Sequence, residues 1–198
     1  MKTDLLIGSG NLKKAQELAA LLEGLPWRVL SLRDMPDLPE PEETGASFAE
    51  NAALKAQYYG DAFQIACIAD DSGLSVDCLG GAPGVRSARY AGEHATDEEN
   101  NAKLLEALSD ALWHERGARF VCCAAFYTPG GQVHLETGEI AGHIAVAPYG
   151  TLGFGYDSLF VPEGEERTFA QMKQEEKQKI SHRGIAFRKM RRFLEERS

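Results

Sequence analysis

The chain has 198 residues, of which 43% are hydrophobic and 26% charged, a composition typical of globular proteins rather than of disordered, fibrous or membrane chains. The net charge of -9 argues against broad nucleic-acid binding, because that affinity comes mostly from Lys and Arg side chains that neutralise phosphates. We therefore expect one domain over residues 1–198, with small molecules rather than nucleic acid as its ligands.

The sequence contains no sign of a membrane segment or of export. No apolar run approaches the ~20 residues that span a bilayer, and Met1-Lys2-Thr3-Asp4 leads directly into a strand-like segment without a signal-peptide pattern. The four cysteines are Cys67, Cys78, Cys122 and Cys123. They have neither C-x-x-C nor paired histidine spacing, so we expect thiols in a cytoplasmic protein rather than disulfides or a zinc site.

Hydrophobic periodicity predicts an α/β fold, with helix starts that carry their own capping signals. Ser47 with Glu50, and Thr96 with Glu99, have the spacing of N-terminal caps. Pro129-Gly130-Gly131 predicts a hairpin turn. In chain order the predicted elements are a strand at 5–7, a helix at 12–22, a strand at 27–32, a helix from 48 to 60, a strand at 67–69, a helix from 97 to about 112, strands at 118–128 and 132–147, and helices at 171–179 and 182–197.

The turn after the first strand combines small residues, a helix N-terminus and two cations. Ser9, Gly10 and Asn11 allow close backbone approach, and Leu12 is followed by Lys13 and Lys14. Such a turn can hold phosphate through backbone N–H groups and ammonium groups. It is not a Walker loop, and the alternative is a capped helix with solvated lysines.

Asp70 and Asp71 follow the apolar strand Cys67-Ile68-Ala69 directly. Two adjacent carboxylates repel each other unless a cation lies beside them, and Mg²⁺ is the obvious one. Glu42 and Glu43 are candidates to complete the metal site. The alternatives are an aspartate that caps the turn at Ser72-Gly73 and a solvated acidic loop.

Two further segments have the composition of a nucleotide-base site. Phe154, Gly155, Tyr156 and Asp157 place aromatic rings and a carboxylate after a glycine-rich stretch, where a purine could stack. Ser181-His182-Arg183-Gly184 puts cations in the first turn of a helix, where they oppose the helix dipole. That opposition favours an anion or an electron-rich base edge as their partner.

Eight short motifs, in order along nearly the whole chain, resemble the inosine/xanthosine triphosphate pyrophosphatase family. They are Ser-Gly-Asn-x-x-Lys at 9–14, Glu-Glu-Thr-Gly at 42–45, Phe-x-Glu-Asn-Ala-x-x-Lys-Ala at 48–56, Ala-Asp-Asp-Ser-Gly-Leu at 69–74, Gly-Gly-Ala-Pro-Gly at 80–84, Ser-Ala-Arg-Tyr at 87–90, Gly-Phe-Gly-Tyr-Asp at 153–157 and Ser-His-Arg-Gly at 181–184. One such motif is weak support, but eight in order make a chance resemblance very improbable. Ser158 stands where the family usually has Pro.

The resemblance implies a magnesium-dependent enzyme that converts ITP, dITP and XTP to the monophosphate and pyrophosphate. It implies that residues 9–14 and Lys55 hold the triphosphate, that Asp71 is the proton acceptor and a metal ligand, and that Glu42 or Glu43 and Asp70 support the metal. It also implies that Ser72, residues 154–157, Lys177, His182 and Arg183 contact the nucleotide. The implied fold is elongated and two-lobed, with a long mixed sheet flanked by helices, an active-site cleft between the lobes, and commonly a homodimer.

Two other functions fit parts of the sequence. A related pyrophosphatase of the septum-formation type acts on other modified nucleotides, and the Ser-His-Arg segment argues against it. A catalytically inactive nucleotide-binding regulatory module is the second alternative. Intact Asp70 and Asp71 argue against that module, because a pure binding protein does not need a carboxylate that activates water.

Overall fold

The computed structural model describes residues 3–197, and in the first helix it describes all side chains except those of residues 12–14 and 17. The strands are β1 (Thr3–Ile7), β2 (Trp27–Ser31), β3 (Ala66–Val76), β4 (Gly117–Tyr127), β5 (His134–Ile144) and β6 (Phe160–Pro162). The helices are α1 (Leu12–Leu21), α2 (Phe48–Phe63), α3 (Asp97–Ala107), α4 (Gln174–Ile180) and α5 (His182–Glu195). No helix within residues 3–197 is long and apolar enough to cross a membrane.

The six strands form one sheet in the order β2-β1-β3-β4-β5-β6. Strand β1 is parallel to both β2 and β3, whereas β6 is antiparallel to β5, so the sheet is mixed, as predicted. The turn between β4 and β5 is closed by the Gly131 N–H, which donates to the Thr128 carbonyl over 2.8 Å. Because β1 and β3 are parallel, the residues that follow Ile7 lie beside those that follow Ile68.

The chain forms two compact units. The first comprises the residues up to Asp71, Cys122–Gly138 and the residues from Ile185 onward. Alternation along β1 places Leu5 and Ile7 in a core with α1 and α5, and Leu6 in a second cluster with α2. The helical members of the larger core are Ala15, Leu18, Leu22, Ala186, Phe187, Met190 and Leu194.

The second unit comprises Ser72–Val121 and Glu139–Gly184. Its core contains Leu74 and Val76 of β3, Leu104 and Leu108 from α3 and its C-cap, and a cluster of aromatic rings. The rings of Phe120 and Phe160 have centroids 4.7 Å apart, and Phe169 lies 5.3 Å from Phe160. Each unit therefore has a hydrophobic core of its own.

Strand β3 is longer than the sequence predicted. We predicted that the strand ends at Ala69 and that Asp70 and Asp71 lie in the turn after it. Instead, β3 continues to Val76, so both aspartates lie inside the strand. The continuation is stabilised because Leu74 and Val76 are fully buried in the second core. The two acids are thus held on rigid backbone.

Helix α2 also runs beyond its predicted end at Gly60. The helix ends at Phe63, and Gln64 rather than a glycine adopts the left-handed conformation of the cap, with φ 54°. Gly60 is needed for packing instead, because a Cβ there would lie 2.7 Å from the ring of Tyr127. Sequence alone cannot distinguish these two uses of a glycine.

Helix α3 starts at its predicted cap, where the Thr96 hydroxyl accepts from the Glu99 N–H and the Glu99 carboxylate accepts from the Thr96 N–H. The predicted end near Leu112 is wrong, because the helix ends at Ala107. The buried Arg116 guanidinium donates to the carbonyls of Leu108 and Ala111 at 2.7 and 3.3 Å. These bonds satisfy carbonyls that lie beyond the end of the helix.

Candidate active site

In the first unit, a lysine of α2 lies between carboxylates of two other segments. Lys55 Nζ is 2.8 Å from Glu43 Oε1 and 3.4 Å from Asp71 Oδ1. Burial by itself would lower the pKa of Lys55, but the charges of Asp71, Asp70 and Glu43 outweigh it and raise the pKa above its usual value. The site thus contains an ammonium group that remains protonated at neutral pH.

Asn51, one helical turn before Lys55, contacts the other oxygen of the same aspartate. Its Nδ2 donates to Asp71 Oδ2 over 3.1 Å, and its Oδ1 accepts from the Gly45 N–H over 2.7 Å. The sequence motif at 48–56 contains Asn51, but we assigned a role only to Lys55. The i, i+4 spacing of Asn51 and Lys55 was the available signal, since it places both on one helix face.

The acidic residues of the proline-rich loop differ in their surroundings. Glu43 is half-buried and bonded to Lys55, whereas Glu42 is exposed. Within the described part of the chain, no three His, Cys, Asp or Glu side chains form a preassembled metal cage. The carboxylates of Asp70, Asp71 and Glu43 are nonetheless hard oxygen donors, and Mg²⁺ in phosphate chemistry is usually held by one or two carboxylates together with the substrate phosphates.

The glycine-containing turn after β1 lies beside β3. The Gly8 N–H donates to the Ile68 carbonyl over 2.8 Å, and a Cβ at Gly8 would lie 2.8 Å from Tyr59 and 2.9 Å from Cys67 Sγ. The register of β1 and β3 pairs Ile7 with Ile68, two residues before Asp70. Gly10 and Asn11 are exposed. The predicted contacts of Leu12, Lys13 and Lys14 involve side chains outside the described residues.

In the second unit, two cations approach the ring of Phe154. Lys177 Nζ lies 5.0 Å and the Arg183 guanidinium 5.3 Å from the ring centroid. Arg183 also donates to the hydroxyl of Ser72 over 3.0 Å, and Lys177 donates to Asp157 over 2.5 Å. The structure thus brings together five of the residues predicted to contact the nucleotide.

The loop that carries Phe154 is held at several points. The Tyr156 hydroxyl donates to the Ser87 carbonyl over 2.8 Å, and burial raises the pKa of Tyr156. Gly155 is bonded on both sides by α3, because its N–H donates to Asp97 over 2.6 Å and its carbonyl accepts from Asn101 over 3.0 Å. The sequence did not reveal this pair, since nothing local links α3 to a loop more than 50 residues away.

His182 is buried and stacks on Phe120, with ring centroids 4.7 Å apart and an angle of 11° between the planes. The hydroxyl of Ser181 accepts from the Gly184 N–H over 3.1 Å, as expected for a residue that starts a helix. His182 and Arg183 are thus held at the first turn of α5, His182 by ring stacking and Arg183 by Ser72.

Comparison with known proteins shows close similarity over nearly the whole chain. Residues 5–193 match the sequence model of the Ham1 family. A dITP/XTP pyrophosphatase of Geobacter sulfurreducens is 48% identical, covering 93% of this chain and 92% of that protein. A dITP/XTP pyrophosphatase of Streptomyces coelicolor is 46% identical, with 94% of each chain covered. The solved structure of a HAM1 protein from Coxiella burnetii superposes with a TM-score of 0.91 at 38% identity, covering 98% of this chain and 99% of that one.

Proposed function

We propose that this chain, which belongs to the Ham1 family, hydrolyses noncanonical purine nucleoside triphosphates such as ITP, dITP and XTP to the monophosphate and pyrophosphate. The observation that supports the chemistry is the buried Asp71 carboxylate, which receives one donor on each oxygen from α2. Both donors favour the ionised form, which is the form that can accept a proton. The names of the relatives supply the class of substrate.

A divalent cation, Mg²⁺ in our proposal, is expected at Asp70, Asp71 and Glu43. Glu43 is favoured over Glu42 because Lys55 holds it near Asp71, whereas Glu42 is exposed. The cation supplies positive charge that neutralises the triphosphate. The absence of a preassembled cage among residues 3–197 agrees with a site that substrate phosphates complete.

Asp71, Lys55 and the turn after β1 have different roles in the proposed phosphate chemistry. Asp71 accepts the proton of the attacking water. Lys55 counters the charge that builds up on the phosphate oxygens, and its raised pKa keeps it protonated as it does so. The turn from Ser9 through Gly10, Asn11, Leu12, Lys13 and Lys14 holds the triphosphate with backbone N–H groups and ammonium groups.

Recognition of the base is assigned to the second unit. Phe154 provides the stacking surface, and Ser72, Lys177, His182 and Arg183 provide polar contacts, with the last two directed to the 6-oxo group. Gly155, Tyr156 and Asp157 shape the loop through bonds to Asp97, Ser87 and Lys177. An adenine amino group would leave donors of this site unpaired, and buried unpaired donors give strong discrimination.

We further infer that residues 1–198 act as a single pyrophosphatase domain and that the protein works as a cytoplasmic homodimer on free nucleotides, without nucleic-acid or membrane partners. The net charge of -9 supports a small-molecule substrate over nucleic acid. Light scattering coupled to size-exclusion chromatography tests the dimer, since a monomer would elute with a mass of 21.6 kDa.

The deciding experiment is product analysis with ITP, dITP, XTP, ATP and a modified pyrimidine triphosphate, each with Mg²⁺ and with EDTA. We expect inosine and xanthosine nucleotides to give monophosphate and pyrophosphate, with ATP and the pyrimidine turned over far more slowly. In water enriched in oxygen-18 the label should enter the monophosphate, because attack at the α-phosphorus expels pyrophosphate. Release of orthophosphate, or preference for the pyrimidine, would refute the proposal.

Asp71→Asn separates catalysis from binding in the same assay. The amide preserves shape but loses the base and a metal charge, so kcat should fall by roughly 100- to 10,000-fold while nucleotide binding persists. Asp77→Asn is the matched control, since Asp77 follows the same strand but is exposed. An Asp71→Asn enzyme with more than about a tenth of wild-type activity would remove Asp71 from the catalytic role.

A further inference from the structure

Two side chains on one face of α2 donate to Asp71. Asn51 and Lys55 are one turn apart on α2, and each contacts a different oxygen of the Asp71 carboxylate, at 3.1 and 3.4 Å. Lys55 carries charge and also binds Glu43. Asn51 is uncharged and completely buried. Its position beside the proposed catalytic carboxylate is therefore not explained by an ion pair or by contact with solvent.

The amide of Asn51 has one chemically sensible orientation. The Gly45 N–H requires an acceptor and the Asp71 carboxylate requires a donor, and the amide supplies one of each. Turning it over would place two donors together on one side and two acceptors on the other. The side chain therefore joins the acidic loop to the carboxylate in a defined geometry, over 2.7 Å on one side and 3.1 Å on the other.

The loop end of this connection is tightly packed. A Cβ at Gly45 would lie 2.5 Å from Asn51 Oδ1 and 2.8 Å from the Cβ of Glu50. The next N–H, that of Ala46, donates to the Glu50 carboxylate over 2.7 Å. Two consecutive loop N–H groups are thus bound by two consecutive side chains of α2, and Asn51 also donates to Asp71.

We propose that Asn51 is a positioning residue, which orients the Asp71 carboxylate for proton transfer and couples that orientation to the loop that carries Glu43. The inference rests on the proposed function, because it assigns Asp71 the role of base. Its physical reason is that a displaced carboxylate loses alignment with the attacking water, and misplacement of about 1 Å can cost about 100-fold in rate. A substrate held by other residues should bind almost as well without Asn51.

Three variants separate the two ends of the connection. Asn51→Ala removes the donor to Asp71 and the acceptor for Gly45. Asn51→Asp has nearly the same shape and keeps the acceptor, but loses the donor and places a carboxylate against Asp71. Glu50→Ala is the matched control, because it removes an equivalent bond to the same loop without removing the donor to Asp71.

Kinetics with ITP at pH 8 provide the test. We expect kcat to fall roughly 10- to 100-fold in both Asn51 variants, with KM changed by less than about threefold. Glu50→Ala should keep kcat within about twofold of wild type while it loses thermal stability. If Asn51→Ala does not fold, the Asn51→Asp and Glu50→Ala pair still decides the matter.

Three results would overturn the inference: wild-type kcat in either Asn51 variant, a loss confined to KM, or an equal loss of kcat in Glu50→Ala. The last would show that loop attachment alone matters. A wild-type enzyme that releases no pyrophosphate from ITP, dITP or XTP would instead refute the proposed function, so the two failures are distinguishable.

Discussion

Arg183 contacts two other residues of the proposed base site, Ser72 and Phe154. It bonds Ser72, the residue next to Asp71 in the chain, and its guanidinium lies 5.3 Å from the centroid of Phe154. A guanidinium is always protonated and can donate only, so it discriminates a 6-oxo group from a 6-amino group. His182 precedes it in the chain and stacks on Phe120.

We predict that Arg183→Ala and His182→Ala each reduce the ratio of kcat/KM for ITP over ATP by at least about tenfold, because discrimination depends on donors that adenine leaves unpaired. Magnesium dependence should change little. Arg167→Ala is the control, since Arg167 is exposed and bonds Glu165 and Glu176. An unchanged ratio in both variants would show that base recognition lies elsewhere.

The cysteines give a prediction that does not depend on substrate. Burial raises the pKa of Cys67 to about 12, because a thiolate in an apolar environment loses its hydration. The Cys67 thiol therefore stays protonated at pH 8. Cys122 and Cys123 are also buried, whereas Cys78 is exposed.

A chromogenic disulfide reagent at pH 8 should therefore react rapidly with one thiol in the folded protein and with four after denaturation. Raising the pH to 9 should expose no second fast thiol, since that pH is still well below the raised pKa of Cys67. Cys78→Ser should abolish the fast phase. A second rapid thiol in the wild-type protein would contradict the burial of the other three.

At the scale of elements, helices supply side chains that orient catalytic segments. Helix α2 brings Asn51 and Lys55 to β3, and α3 brings Asp97 and Asn101 to the loop of Phe154. In both pairs the residues are four apart, so one helix face presents both. In both cases a helix supplies the side chains that hold a residue of another segment.

The α3 pair leads to a prediction with a built-in control. Asn100 and Asn101 are adjacent and both buried, but Asn100 bonds Ala88 and Ala91, whereas Asn101 bonds Gly155. Each substitution by Ala should cost about 1–2 kcal/mol of stability. Only Asn101→Ala should also raise KM for ITP and reduce the preference for ITP over ATP, because only this change removes a hydrogen bond to the loop of Phe154.

Melting temperatures and steady-state kinetics of the two variants decide this prediction. Equal effects on KM would mean that α3 acts through general stability rather than through Gly155.

Asn101 also contacts Ser158, at a distance of 3.5 Å. The serine found in place of the family's usual proline therefore has a polar neighbour in this chain.

At the scale of the whole molecule, the two units are not consecutive in sequence. The first unit is assembled from three stretches, and strands β3, β4 and β5 each contribute residues to both units. Most of α5 belongs to the first unit, and the buried side chains of Phe187, Met190 and Leu194 are part of its core. The first core therefore requires residues from both ends of the chain.

We predict that a chain ending at Gly184 does not fold its first unit. Burial of Phe187, Met190 and Leu194 contributes roughly 1.5–3 kcal/mol each, about 5–9 kcal/mol together. That amount is comparable to the whole stability of a typical domain, about 5–15 kcal/mol. Circular dichroism and amide NMR spectra report whether the shortened chain folds. A chain ending at Glu195 is the control and should remain folded, because residues 196 and 197 are exposed.

Local signals determined most of the element order and the family of this protein. The short apolar run Leu5-Leu6-Ile7 predicted β1, and the caps at Ser47 and Thr96 predicted where α2 and α3 begin, because each signal depends on residues close together in the chain. The ordered motifs predicted the inosine/xanthosine triphosphate pyrophosphatase family, and the comparisons confirmed this through the Ham1 family model and the dITP/XTP pyrophosphatase relatives. They also named Lys55 and Asp71, which the structure places in contact.

Only the tertiary structure decided features that depend on residues far apart in the chain. Asp71 lies within β3 because the strand continues through Leu74 and Val76, which are buried in the core of the second unit. Helix α2 continues beyond Gly60 because that glycine packs against Tyr127 and does not end the helix. Asn51 reaches Asp71 across 20 residues and Asn101 reaches Gly155 across 54. Hydrophobic periodicity describes which face of an element is apolar, but not which distant partner completes its hydrogen bonds or its packing.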